Sequence, residues 1–104
     1  MNNGNEQMQI EFHHKANAMF FSVYGTFEKA VSNISRRNEE YRFQQLKRQH
    51  AARLEQELQL IAKDILVSYK NDKQTNEINR MLNQFIKNYL HRFIQKINDL
   101  WYKK

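Results

Sequence analysis

A chain of 104 residues with no proline and only two glycines, Gly4 and Gly25, has almost nothing with which to turn. Glycine and proline are the strongest local punctuators of a chain, and the tight turns that join strands depend on them. Without them few reversals are available, so the sequence favours a small number of long helices. The length suits one domain with a real but thin core. Cysteine is absent as well, which removes disulfides, thiolate metal sites and cysteine nucleophiles and leaves packing to hold the interior.

Apolar periodicity divides the chain into three segments. Residues 1–8 are polar and carry no period, so a disordered tail is expected there, followed by one helical domain over residues 9–104. The first helix, over about residues 10–34, is marked by Phe12, Ala16, Met19, Phe20, Val23, Tyr24, Phe27, Val31 and Ile34 at three- and four-residue steps. Gly25 falls inside it, which calls for either a closely packed neighbour or a bend.

A second helix is expected over about residues 35–70. Its later half has a seam at Ala51, Leu54, Leu58, Ile61 and Ile65. Its earlier half, within SRRNEEYRFQQLKRQHAARL, offers only Tyr41, Phe43 and Leu46, which read as pointing in different directions. Ser35 can cap it, yet Arg36 and Arg37 oppose the dipole of a first turn, so a continuous first and second helix stays open.

The run KNDKQTN, residues 70–76, is the best turn, with Asp72 or Thr75 as the next cap. A third helix then spans about residues 75–103. Its apolar residues, from Ile78 to Trp101, come at roughly two per turn, too wide a stripe for one neighbour to cover. The fold class read from this is all-α: three long amphipathic helices in an antiparallel coiled-coil-like bundle, with a dimer of hairpins as the alternative that also covers the third helix.

Charge is blocked along the chain. The formal net charge is +6. Residues 36–53 hold six basic and two acidic residues, and residues 80–104 hold six basic residues and only Asp99. A reversal near residue 72 sets positions whose numbers sum to about 145 side by side, Arg53 near Arg92 and Tyr41 near Lys103. The two blocks then share one end of the hairpin. The first helix is expected to cover Phe93, Ile97 and Trp101, leaving the polar half of the second helix outside the core.

That end supplies the candidate binding residues: Arg36, Arg37, Arg42, Lys47, Arg48, Arg53, Arg92, Lys96, Lys103 and Lys104, with the aromatics Tyr41, Trp101 and Tyr102 among them. Clustered Lys and Arg release counterions from a phosphate backbone, and aromatics among them can stack on unpaired bases. The expected function is nucleic-acid binding, mainly by backbone contacts, since no helix-turn-helix, zinc-finger or RNP-like pattern is present. A solvated helix face is the plain alternative.

Other readings use the same residues differently. The end can instead meet an acidic or nucleic-acid-handling protein, as an inhibitor or adaptor of the antirestriction or anti-CRISPR type would, encoded by a phage or plasmid. A secretion chaperone and a structural helical oligomer are weaker options. No cofactor, metal or small-molecule substrate is expected, and no enzyme. His50 and His91 are placed to meet across the hairpin but lack a third ligand. MFFSVY is too short to span a bilayer and the start MNNGNEQMQ lacks a signal-peptide pattern, so the expected setting is the cytoplasm, without a membrane partner.

Overall fold

The computed structural model describes residues 3–34, 39–69 and 75–102. It is an up-down-up bundle of three helices: α1 (Asn3–Val31), α2 (Glu40–Ser68) and α3 (Thr75–Tyr102). The bundle is a rod of 53 × 18 × 16 Å, of whose length helices of 28 and 29 residues account for about 43 Å at about 1.5 Å per residue. No helix is long and apolar enough among the described residues to cross a membrane.

The register between α2 and α3 is the expected one. Lys47 Nζ donates to Asn98 Oδ1 at 3.2 Å and Gln44 Nε2 to the Tyr102 hydroxyl at 3.2 Å, pairs whose numbers sum to 145 and 146. On the other side, Phe27 meets Phe43 and His50, and the Tyr69 hydroxyl donates to Glu11 Oε1 at 2.9 Å, so α1 runs antiparallel to α2 and parallel to α3.

One core cluster runs the length of the rod. Its seams are Met8, Phe12, Ala16, Phe20, Val23 and Phe27 on α1, Phe43, Leu54, Leu58, Ala62 and Ile65 on α2, and Ile78 to Trp101 on α3, each at helical spacing. No polar or charged residue is buried among the described residues. The wide stripe of α3 finds both neighbours within one chain.

Three expectations change. First, helix begins at Asn3, so the disordered tail over residues 1–8 gives way from that residue onward. Met8, four residues before Phe12 and eight before Ala16, extends the buried stripe by another turn. Packing of that turn supplies the helix stability its polar neighbours do not advertise.

Second, α1 and α2 are separate helices, α2 starting at Glu40 and not at residue 35. Glu39 precedes it without a side-chain cap bond. Ser35 and Asp72, named as caps, lie outside the described residues, as does most of the KNDKQTN turn. Thr75 is already helical.

Third, the polar half of α2 is not outside the core. The α1 and α3 backbones stand farther apart than either does from α2. Aromatic rings fill that gap: Phe12 stacks on Phe85 at 5.9 Å and Phe20 meets Phe93 edge-on at 5.6 Å. Phe43 lies eleven residues before Leu54, about three turns, and so falls on the same stripe. It is wholly buried. Between them the stripe is completed by Lys47, whose ammonium lies 5.8 Å from the Phe43 centroid, and by His50, whose ring meets Phe27 edge-on at 5.4 Å. Their apolar bodies pack while their polar tips reach water or a partner. Gly25 has open space where a Cβ would stand, and the helix continues through it, so it serves neither a close approach nor a break.

Candidate nucleic-acid interface

The described candidate residues converge on one end of the rod. Described there are Lys29, Arg42, Lys47, Arg48, Arg53, Arg92 and Lys96 against Glu28, Glu39, Glu40 and Asp99, an excess of positive charge. At the other end Lys15, Lys63, Arg80 and Lys87 face six described acids, so the sign reverses. Arg36, Arg37, Lys103 and Lys104 lie outside the described residues.

Axial convergence is not the same as one face. Arg92 and Lys96 lean from α3 across to α1: the Arg92 guanidinium carbon is 5.9 Å from the Phe20 centroid and 5.6 Å from that of Tyr89, and Lys96 Nζ is 4.7 Å from that of Tyr24. Arg48 follows Gln44 by four residues on the flank of α2 that meets α3. Arg42 and Arg53 instead share the flank of His50, which meets α1. Arg42 is also paired with Glu39 at 3.5 Å. The cations therefore form a collar around the rod. Arg53 and Arg92 share a level, as expected, but sit in different grooves.

The aromatics separate into structural and accessible groups. Trp101 is only 5% exposed and stacks on Phe43 at 4.6 Å with 6° between planes, so it belongs to the core and cannot receive a base. Its indole nitrogen donates to Glu40 Oε2 at 2.6 Å. The Tyr102 hydroxyl donates to Glu40 Oε1, and its ring stands edge-on to Phe43. These contacts hold the start of α2 to the end of α3. The Tyr102 hydrogen bond, ahead of that from Trp101, holds the Glu40 carboxyl below the usual carboxylate range, and the same bond pushes the Tyr102 phenol up. Tyr41 is 71% exposed and meets no ring among the described residues.

A residue outside the sequence-derived set also faces solvent here. Phe21 is 59% exposed, although its neighbour Phe20 is buried. With Phe20, Arg92, Gln95, Lys96 and Asp99 it lines a shallow groove of about 280 Å³ between α1 and α3. The doublet in MFFSVY was the available signal: two adjacent residues about 100° apart cannot both sit at the centre of one stripe.

The histidines do not assemble. His50 Nδ1 donates to the Leu46 carbonyl at 2.8 Å and its ring faces α1, so it does not meet the exposed His91. His13 Nδ1 and the Tyr89 hydroxyl are hydrogen-bonded at 2.8 Å, and burial, with Arg92 adding to it, lowers the His13 pKa. No group of three metal-ligating side chains converges among the described residues.

Comparison with protein-family models, with curated proteins and with solved structures finds no match to this chain.

Proposed function

We propose that this protein binds nucleic acid through phosphate contacts from the cationic collar. One observation carries the reading: antiparallel pairing of α2 and α3 gathers two basic segments, remote in sequence, at the same level of the rod, while the opposite end carries more acids than bases. Arg48 and Arg53 are exposed and make no hydrogen bond or ion pair with the described residues, so their guanidinium groups are available to phosphate. A collar suits a strand that wraps or crosses the rod better than a helix inserted in a groove. Contacts of this kind position the ligand without reading its sequence.

The test is fluorescence anisotropy of labelled oligonucleotides over a salt series. Affinity falls linearly on a log–log plot as salt rises, and replacing Arg48 and Arg53 by Ala makes the slope shallower by about one per cation removed. Absence of binding at low salt ends this reading. Recovery of one stoichiometric, nuclease-insensitive protein in its place supports the adaptor or inhibitor role.

A further inference from the structure

We infer that the α1–α3 groove is a nucleotide subsite, in which one unpaired base stacks on Phe21 while its flanking phosphates lie on Arg92 and Lys96. This rests on the nucleic-acid reading and adds to it a preference for single strands. Phe21 projects a bare ring from the middle of α1, where the two residues flanking it in the seam, Phe20 and Val23, are already buried. Phe20 stands edge-on to it at 5.3 Å and 77°, which limits the directions the Phe21 ring can take.

Cations flank that ring on the α3 side, and they are held in place. The Arg92 guanidinium is seated against the Phe20 and Tyr89 rings and the Lys96 ammonium against Tyr24, so neither roams as an unattached surface side chain does. Less of their freedom is lost when an anion arrives.

An aromatic surface next to fixed cations matches both halves of a nucleotide, whose base offers a π-face and whose phosphate offers negative charge. Gln95 lines the same groove and presents an amide to a base edge, while Asp99, on the α3 wall one turn beyond Lys96, repels the phosphate toward Arg92. A duplex keeps its bases stacked inward and can use only the cations. An acidic peptide would likewise gain from the cations but has no need of Phe21 as a flat surface.

The experiment titrates the full chain against a labelled mixed-sequence single strand and against the matching duplex, with wild type, Phe21→Ala and Phe21→Trp. The single strand binds more tightly to wild type. Phe21→Ala weakens single-strand binding by about tenfold or more, the cost of one lost base stack, and leaves duplex affinity and both salt slopes unchanged. Phe21→Trp restores the single-strand affinity. Because Phe21 is exposed, neither variant threatens the core. Equal single-strand affinity in wild type and Phe21→Ala overturns the subsite while leaving the collar intact. Wild type that binds neither strand form overturns both.

Discussion

The two ends of the rod are closed by the same device and filled with different material. At each end one carboxylate accepts hydrogen bonds from an aromatic donor on another helix: Glu11 from Tyr69 at one, Glu40 from Trp101 and Tyr102 at the other. The acid-richer end is filled largely by aliphatic residues, Met8, Leu58, Ile65, Ile78 and Leu82, around Phe12. The basic end is filled by rings, Phe27, Phe43, Phe93 and Trp101. Every cation–ring contact described above also lies in that half, at Lys47, Arg92 and Lys96. Rings tolerate crowded cations as aliphatic groups do not, because their faces carry partial negative charge. The core at this end thus does two jobs, filling space and holding positive charge that the acid-richer end has no need to hold.

The largest effect that tests this difference comes from emptying the basic end. Phe43→Ala removes the ring on which Trp101 stacks and on which Phe27 and Tyr102 rest edge-on, and destabilises the fold by about 3–5 kcal/mol in urea unfolding. An aliphatic replacement, Phe43→Leu, recovers much of the volume but not the ring face under Lys47. If rings matter there for charge as well as volume, the remaining deficit of Phe43→Leu shrinks as salt screens the cations. A deficit independent of salt reduces the aromatic filling to packing alone.

The next effect is a loss of stability in acid. Glu40 and Glu11 both have pKa values lowered in the folded state, Glu40 chiefly by Tyr102 and Glu11 chiefly by Tyr69 with Lys15 assisting. A depressed folded pKa contributes stability that is complete above the unfolded value and is lost as pH falls through the folded one. The urea midpoint therefore declines on acidification below the ordinary carboxylate range. Protonating Glu40 also strips negative charge from the end with least of it, so α2's first turns lose amide-exchange protection before the Glu11 end does. Glu40→Gln flattens the acid decline more than Glu11→Gln; equal flattening means the two closures are equivalent and charge at the basic end is irrelevant to them.

The contrast also explains what was legible in the sequence. The register of α2 on α3 followed from one reversal and helix geometry, and the seam from Leu54 to Ile65 from repeating aliphatic residues. The basic end was harder because the stripe α2 turns inward there is written as Phe43, Lys47 and His50, of which only Phe43 is apolar by type and wholly buried. The half-buried placement of Lys47 and His50 depends on ring partners, Phe43 itself and Phe27 on α1, which periodicity within α2 does not reveal. Trp101, expected both beneath the first helix and among the binding aromatics, is buried, and its ring partner is Phe43 on α2. Phe21, which the apolar stripe of the first helix leaves out, stands in solvent because Phe20 already fills that position.

The smallest effect concerns Gly25, which lies on α1 at the level where the basic end begins. Nothing stands within 4 Å of the position a Cβ would take, and its backbone shows no positive φ. Neither packing nor conformation requires glycine, so its cost to a helix interior is uncompensated, and Gly25→Ala stabilises the protein by about 1 kcal/mol. Most of the gain arises because alanine leaves the unfolded chain fewer conformations to lose. It should appear as a higher midpoint with an unchanged m-value. If Gly25→Ala instead leaves stability unchanged but weakens oligonucleotide binding, α1 must bend there to let a strand approach Phe21 from four residues away, and the basic end is less rigid than its ring packing implies.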